Sequence, residues 1–306
     1  MCEEKANENT NLDESDDWMF EWSELRLVKG EPERWETIRE RWEAIYQARL
    51  KGETCAVKTD FSADIGALRK QTEGEGDWRV TCMDAQNEQF MGNEHLRLVV
   101  GDGSPSAIEG AGLGGFAIGK RAFKNCVNLE YVTHLSNMVY SVLEEAFAGC
   151  RSLRDIGFPF YLDFIGRRAF AGCVMLGSLS FPDALEVIDE EAFLGCTNLR
   201  SLCFWESLPS LLREIRARAF VGCPNLRKVE ISKVEISSDA PLEYIGESAF
   251  EGCAIRELRL PDKLKALKPR AFANCRDLEL VRLPKRLEPQ VAAAFVGCPK
   301  VRFDFF

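Results

Sequence analysis

An Ala-Phe-x-x-Cys element recurs eight times between residues 122 and 298, and this recurrence constrains the fold more than any other feature of the sequence. Successive cysteines of the element are separated by 24, 23, 23, 27, 30, 22 and 23 residues. Self-similarity with a period of about 20 to 50 residues predicts stacked units that each add one layer to a shared core. The eight cysteines are Cys126, Cys150, Cys173, Cys196, Cys223, Cys253, Cys275 and Cys298.

The residues that follow each cysteine predict a short strand. Cys150, for example, is followed by Leu153, Ile156 and Phe158. The alternation of the last two apolar residues is typical of a strand with one buried face. Pro159 then ends the strand, because proline has no N–H to donate to a neighbouring strand. A leucine and an isoleucine lead back to the next Ala-Phe, which completes one turn of a solenoid.

The residue before each cysteine is a glycine in six units and an asparagine, Asn125 or Asn274, in two. A tight helical turn must end at this position, and such an ending favours a residue that tolerates a positive φ. Glycine is the best choice and asparagine the next best. The six glycines are Gly149, Gly172, Gly195, Gly222, Gly252 and Gly297.

These units resemble the BspA-like subclass of leucine-rich repeats, which read roughly I-G-x-x-A-F-x-x-C-x-x-L-x-x-I-x-I-P. The segment from Ile165-Gly166 through Pro182 matches that pattern almost position for position. The resemblance covers about residues 116–306. It implies a parallel sheet that lines one side of a curved ribbon, and a role in binding proteins or cell surfaces.

We therefore predict an α/β fold, a leucine-rich-repeat solenoid with a parallel sheet on one face and short helical turns on the other. Residues 1–17 are expected to be a disordered acidic tail, residues 18–115 an N-terminal helix and irregular mixed α/β cap, and residues 116–306 a solenoid of eight repeats. Within the cap, an apolar stripe predicts a helix from Pro32 to Gly52, and strands are predicted at Trp78–Met83 and Leu96–Val100. The same helical stripe would also suit the groove of a partner.

The far end of the solenoid is predicted to lack such a cover. The last unit has Gln290 where an isoleucine is expected, and the sequence finishes on the apolar run from Val301 to Phe306. An uncovered apolar edge strand tends to pair with another strand. Edge-to-edge self-association through this strand is therefore one expectation.

Strand residues between the core positions are predicted to point outward in two columns, because successive side chains of a strand alternate faces. Aromatic residues beyond the strands add candidate anchors on one rim. A solvated sheet face with the aromatic residues tucked under loops is the competing interpretation. The first column is Tyr131, Asp155, Ser178, Ser201, Lys228, Glu257 and Leu280; the second is Thr133, Gly157, Ser180, Cys203, Glu230, Arg259 and Arg282; the rim residues are Phe160, Tyr161 and Trp205.

Two units are expanded, in the segments 205–212 and 232–244. Insertions in solenoids emerge as loops on one rim and often belong to the binding face. Neutral drift in a tolerant loop would produce the same pattern.

The charge of the chain is unevenly distributed. The net charge is −10, yet residues 256–302 contain twelve Lys or Arg and five acids. The acidic tail could dock on this basic region, although independent solvation of the two is the simpler expectation. The basic repeats suggest a protein partner with an acidic segment. A nucleic-acid partner is not expected, because the whole chain is acidic and lacks a dominant basic field.

Three other signals are discounted. The cysteine column suggests disulfides or metal, but it follows the turn rather than the strand, and no C-x-x-C pair occurs. We predict that these cysteines are buried as small apolar thiols. Gly110 to Gly115 formally satisfy G-x-G-x-x-G, but the context predicts a flexible joint rather than a nucleotide site. His134 is predicted to be structural, and with His95 as the other histidine no catalytic triad or cofactor is expected.

The function predicted from these features is non-enzymatic protein binding. No run of about 18 to 20 apolar residues predicts a membrane span, and no signal peptide is recognised, so a cytoplasmic or nuclear location is expected. Two other classes stay open. One is a structural subunit docked in a larger assembly through apolar solenoid ends, and the other is an enzyme with an unrecognised site in residues 18–115.

Overall fold

The computed structural model describes residues 79–81, 89–100, 116–133, 135, 139–204, 211–229 and 241–306. All of them belong to the larger of two compact units into which the chain divides. The acidic tail, the helix from Pro32 to Gly52, the glycine-rich joint and most of the two expanded loops lie outside the described residues. Their predictions are therefore neither confirmed nor contradicted.

Seventeen short strands are present in the described part of the chain, and every pair among them is parallel. In chain order they are β1 (Arg79–Thr81), β2 (Leu98–Val100), β3 (Phe116–Ile118), β4 (Tyr131–Thr133), β5 (Val139–Val142), β6 (Asp155–Ile156), β7 (Phe164–Ile165), β8 (Ser178–Phe181), β9 (Val187–Ile188), β10 (Ser201–Phe204), β11 (Glu214–Ile215), β12 (Lys228–Val229), β13 (Tyr244–Ile245), β14 (Glu257–Arg259), β15 (Ala266–Leu267), β16 (Leu280–Leu283) and β17 (Arg302–Phe305).

The strands that follow the cysteines form one side of the solenoid, as predicted. Together with β1 and β2, which precede the first of these cysteines, they are grouped as β1-β2-β4-β6, β8-β10-β12 and β14-β16-β17. This side is interrupted between β6 and β8 and again between β12 and β14. The second interruption coincides with the expanded unit between Cys223 and Cys253. The predicted solenoid with a parallel sheet is thus confirmed, and the sheet is divided into three parts.

A second parallel sheet was not predicted. It has seven strands in the order β15-β13-β11-β9-β7-β5-β3, and most of them are only two residues long. Its inward row contains Val142, Ile165, Ile188 and Ile215, all buried. The Leu-x-x-Ile segment of each unit therefore forms a strand of its own, which is too short to produce a visible alternation in the sequence.

The Ala-Phe-x-x-Cys segments form hydrogen-bonded turns on the remaining side, where short helical turns were expected. The N–H of Ala148 donates to the carbonyl of Glu145 at 3.1 Å, which is an i→i−3 bond. The N–H of Phe147 donates to the carbonyl of Ala169 in the next unit at 2.7 Å. The turns therefore stack on one another through backbone bonds between units, as the strands do.

Two positions have a positive φ in each of the first seven Ala-Phe-x-x-Cys turns, and one, Gly297, has it in the last turn. The predicted position before the cysteine is confirmed, with φ of 76° at Gly149 and 60° at Asn125. A second such position, directly before Ala-Phe, was not predicted. It is held by residues with side chains, for which this conformation costs about 1–2 kcal/mol each. These are Arg121, Glu145, Arg168, Glu191, Arg218, Ser248 and Arg270.

The phenylalanines of the repeated element form a continuous stack of nine rings in the core. Neighbouring ring centroids are 5.0 to 5.2 Å apart, and the rings are nearly parallel. Spacing of this kind lets each ring bury both faces against its neighbours. The stack consists of Phe90, Phe123, Phe147, Phe170, Phe193, Phe220, Phe250, Phe272 and Phe295.

The stack continues N-terminal to the first Ala-Phe-x-x-Cys element. Phe90 packs on Phe123, and Leu96 and Val99 are fully buried in the same core. The predicted strands of the cap are present as β1 and β2, and both extend the parallel sheet. Residues that the sequence analysis placed in the cap therefore have repeat geometry without the cysteine.

The last unit replaces its second-sheet strand with a helix. A 3-10 turn at Lys285–Leu287 runs into helix α1 (Glu288–Ala294). The side chain of Gln290, which stands where isoleucine was expected, accepts a hydrogen bond from the N–H of Leu267 at 2.7 Å. Gln290 thus provides a hydrogen-bond acceptor for a backbone N–H at the edge of β15, where this sheet ends. None of the helices among the described residues is long and apolar enough to cross a membrane.

Candidate partner-binding face

The outward side chains of β14, β16 and β17 form two adjacent rows on an open sheet face. The register aligns Arg259 with Arg282 and Arg282 with Asp304. Arg282 and Asp304 form an exposed ion pair at 3.4 Å, with 53% and 61% of their side chains accessible. Arg259 and Arg282, both predicted to bind a partner, are exposed. They are also neighbours, because the parallel register stacks equivalent positions about 4.8 Å apart.

The second row of this face consists of Glu257, Leu280 and Arg302. Glu257 and Arg302 are exposed, and Leu280 is half-buried. Glu257 was predicted to bind a partner, whereas Arg302 and Asp304 were not. The alternation of charged and aromatic residues from Arg302 to Phe305 indicates in the sequence that Arg302 and Asp304 point outward. We call the two rows together the C-terminal face.

Aromatic rings adjoin Arg259 on the C-terminal face and Lys285 beside it. The guanidinium of Arg259 lies 5.0 Å from the ring centroid of Phe306, and the ammonium of Lys285 lies 5.6 Å from that of Phe305. Phe306 is 47% exposed. A cation over an exposed aromatic ring contributes roughly 0.5–1 kcal/mol to the free energy of folding. These contacts therefore orient the side chains of Arg259 and Lys285 more than they stabilise the fold.

The middle of the outward columns carries small polar groups. Ser201 donates a hydrogen bond from its Oγ to the Oγ of Ser178 at 2.9 Å. Ser180 and Cys203 are half-buried neighbours in the second column, and Lys228 is exposed at the end of the first. This part of the face is accessible but weakly charged.

The first two units depart from the predicted pattern. Tyr131 is only 8% exposed and Thr133 only 1%, so the expectation that they lie on an open face is wrong. All three residues of β4 are buried, which means that both faces of the strand are covered and alternation no longer separates inside from outside. Asp155 is half-buried, and its Oδ1 accepts a hydrogen bond from the N–H of Ile156 at 2.7 Å. Gly157 is also half-buried.

The rim aromatics form a cluster with each other. Tyr161 stacks on Tyr140 with centroids 6.4 Å apart and meets Phe160 edge-on at 5.1 Å. Burial and the nearby charge of Asp163 raise the pKa of Tyr140. Because Phe160 and Tyr161 are half-buried, they supply less free surface than predicted. Trp205 and Glu230, both predicted to bind a partner, lie outside the described residues.

A charged cleft of about 480 Å³ lies on the second sheet, where no binding residue was predicted. It is lined by Asp189, Glu190, Glu214, Arg216, Ala217 and Tyr244. Arg216 bridges Asp189 at 3.0 Å and Glu214 at 2.9 Å. The arginine is therefore already paired with one acid of the preceding unit, Asp189, and one of its own unit, Glu214.

The predicted burial of the cysteine column is confirmed, with the thiols free and seven of the eight fully buried. The column also has a role that was not predicted, since each thiol donates to the phenylalanine carbonyl of the preceding repeat layer. Cys150 Sγ lies 3.0 Å from the carbonyl oxygen of Phe123, for example, and Cys173 Sγ lies 3.2 Å from that of Phe147. Burial raises the pKa of Cys126 to about 11. The hydrogen bonds of these thiols link the units, and the pKa raised by burial makes Cys126, Cys150 and Cys173 poor nucleophiles.

The other discounted signals give no site in the described part of the chain. His95 is exposed, whereas His134 lies outside the described residues. No group of three or more His, Cys, Asp or Glu side chains suited to a metal ion occurs among the residues that the structure describes.

The fold and its repeated element define a leucine-rich-repeat solenoid. The family profile of the BspA type Leucine rich repeat region matches residues 117–240 and 230–305, in six copies. These residues make up more than half of the chain, so the chain belongs to the BspA-type leucine-rich-repeat family, and the resemblance seen in the sequence is confirmed. Membership of this family indicates a protein-interaction or surface repeat protein, and leucine-rich-repeat proteins are generally not enzymes.

Solved structures with similar folds are bacterial leucine-rich-repeat proteins. The T. pallidum protein TpLRR is 25% identical, with a TM-score of 0.47 over 61% of this chain and 80% of that one. A leucine rich cell surface protein from Faecalibacterium prausnitzii is 18% identical, with a TM-score of 0.37 over 74% and 78%. A leucine-rich repeat protein from Bacteroides ovatus is 18% identical, with a TM-score of 0.25 over 74% and 92%. No curated protein matches the sequence significantly.

Proposed function

We propose that the chain is a non-enzymatic binding protein that holds an acidic segment of a partner protein on its outward sheet face, chiefly on the C-terminal face. The observation that supports this most is the pair of exposed arginines, Arg259 and Arg282, in register on neighbouring strands. An extended segment that crosses these strands would place acidic side chains near both guanidinium groups. Arginine suits this role because its planar donors match a carboxylate.

The surroundings of the two arginines favour a protein partner. Phe306 supplies exposed aromatic surface beside Arg259, and Leu280 adds an apolar position in the next row. Aromatic and arginine side chains are enriched among the residues that dominate the free energy of protein binding. The serine pair Ser178 and Ser201 and the exposed Lys228 would extend the same face toward the middle of the solenoid. Trp205 and Tyr161 stay proposed contacts on the rim, and Glu230 stays a proposed contact in the second outward column.

Location and the division of the chain into an acidic tail, a cap and a solenoid also stay proposals. A cytoplasmic or nuclear site is proposed from the sequence analysis alone. The acidic tail is proposed as independent of the C-terminal face, so that this face is available to a partner.

Charge reversal tests the proposed face. The double variant Arg259→Glu and Arg282→Glu should lose binding to immobilised Glu-rich peptides, while a matched Gln-rich peptide shows no binding to either form. The double variant Arg276→Glu and Lys300→Glu is the control, because it makes the same change of charge at exposed residues around a separate cleft. Binding of the wild type should weaken as salt rises, since exposed ion pairs are screened.

Affinity capture from the native cell extends the test to the natural partner. A protein retained by the wild type and by the control variant, but released by the arginine variant, supports the proposed face. Equal capture by all three forms would show that binding occurs elsewhere on the chain.

A further inference from the structure

The outer edge of β17 is the side that faces away from β16. Its backbone groups, apolar side chains and charges together favour one kind of neighbouring strand. Within the described residues β17 is the last strand of the sheet β14-β16-β17. On its inner side, the N–H of Arg302 donates to Glu279 at 2.9 Å and the N–H of Phe306 to Leu283 at 3.2 Å. Backbone groups of alternate residues in a strand point to opposite sides. The N–H and C=O groups of Phe303 and Phe305 therefore point away from β16.

The core is only partly covered beneath this edge. The inward residues of the neighbouring strands, Leu258, Val281 and Leu283, are buried, with at most 5% exposure. Phe303 and Phe305 occupy equivalent positions on β17 but are only half-buried. Phe303 packs edge-on against Phe295 and so covers the last ring of the stack from one side. Apolar surface is thus still available for burial along the edge.

The sequence of β17 is complementary to itself in one register. If two copies pair in antiparallel fashion about Phe303, the two Phe303 residues exchange backbone hydrogen bonds, and each Phe305 meets Val301 of the other copy. The same register places Arg302 of one copy directly opposite Asp304 of the other, twice. Residues opposite each other in such non-hydrogen-bonded pairs have Cα atoms only about 4.5 Å apart, so their side chains can pair.

We propose that this chain forms a two-fold symmetric dimer by antiparallel pairing of β17 with β17 of a second copy. The pairing joins two three-stranded sheets into one of six strands and covers Phe303, Phe305 and Val301 on its inner side. Arg302 and Asp304 form two ion pairs between the copies on its outer side. A self-complementary patch of this kind is what a closed, isologous dimer requires. The outward arginines of both copies then share one continuous face.

A parallel pair in the same position would not have this complementarity. A parallel neighbour of identical sequence would place Arg302 beside Arg302 and Asp304 beside Asp304, and like charges that face each other destabilise a sheet. At the same end of the second sheet, Gln290 and helix α1 occupy the edge of β15. The charges of β17 therefore favour antiparallel pairing with β17 of a second copy.

Charge exchange in the full chain tests the proposal. Sedimentation equilibrium should give a concentration-dependent dimer for the wild type. Asp304→Arg and Arg302→Asp should each raise the dissociation constant about tenfold or more, because every opposite-charge pair becomes a like-charge pair. The exchanged double variant R302D/D304R restores opposite charges across the pair and should dimerise within about threefold of the wild type.

Matched controls separate the edge from general charge effects. Glu257→Arg on β14, the far strand of the same sheet, and Arg256→Asp directly before that strand make the same changes of charge at exposed residues and should leave dimerisation unchanged. Thermal unfolding of every variant checks that the fold is retained. A chain that stays monomeric up to about 1 mM overturns the proposal. A dimer that ignores the single substitutions, or an exchanged double variant as weak as the single variants, overturns it equally.

Discussion

The guanidinium of Arg218 lies 3.2 Å from the carboxylate of Glu191, in the preceding unit, although Glu191 is only 3% exposed. Arg168, one unit earlier on the other side, also donates to that carboxylate. All three residues occupy the second positive-φ position of their turns. Glu191 therefore links three successive units, and it does so at the position of each turn where a positive φ makes the backbone conformation unfavourable.

Replacement of Glu191 by alanine should lower the free energy of unfolding by about 2 kcal/mol, because hydrogen bonds to charged groups are lost at a buried site. Arg168 and Arg218 are about half exposed and can be resolvated, which limits the loss. Urea denaturation measures the difference. Glu190→Ala is the matched control, since its ion pair with Arg167 is exposed and should contribute less than about 1 kcal/mol. Equal losses for the two variants would contradict a special role for Glu191.

The contribution of Glu191 should depend on pH. Burial raises the pKa of this carboxyl, but the hydrogen bond from Arg168 and the charges of Arg168 and Arg218 lower it more, so the folded pKa lies below its ordinary value. A lowered folded pKa gives stability that is complete above the unfolded pKa, about 4.3, and is lost as the pH falls through the folded pKa. The stability difference between the wild type and Glu191→Gln should therefore be constant near neutrality and shrink below about pH 4. Urea titrations across this range would refute the assignment if the difference grew on acidification.

Phe193 lies near the middle of the ring stack and should be among the most sensitive core positions. Its ring centroid is 5.1 Å from that of Phe170 and 5.2 Å from that of Phe220. Phe193→Ala should cost about 3–5 kcal/mol, since truncation leaves a cavity between two rings that the backbone bonds hold apart. Denaturant unfolding measures this, and Phe160→Ala at the half-buried rim provides the same chemical change outside the stack. A cost no larger than that of the control would mean that the stack closes around the gap.

Gly246 should be intolerant of any side chain for a reason unrelated to φ. A Cβ at this position would meet the backbone nitrogen of Ala217 and would lie 2.5 Å from the carbonyl carbon of Arg216, both in the preceding unit. Because backbone cannot move aside easily, Gly246→Ala should destabilise by about 1–3 kcal/mol. Gly177→Ala is the control, since its Cβ would meet only the side-chain nitrogen of Asn198 at 3.9 Å. Similar melting temperatures for the two variants would show that the second sheet accommodates the methyl group.

Much of the candidate face could be located from the sequence because strands alternate. Arg259, Arg282, Glu257, Ser178 and Lys228 are accessible on the outward columns, as the alternation predicts. The same rule failed at Tyr131 and Thr133, since alternation gives the direction of a side chain but not what lies above it. It also could not show that Arg282 is paired with Asp304, which depends on the register between strands.

The sequence by itself determined the repeat, its period, the buried Leu, Ile, Phe and Cys positions and the left-handed glycines. Each of these follows from local periodicity or from the conformational freedom of one residue type. Only the tertiary structure decided the second sheet, the charged left-handed position that includes Glu191, the closure by Gln290 and the register that aligns Arg282 with Asp304. Those features depend on contacts between units about 23 residues apart, where the register of stacking chooses the partner of each group.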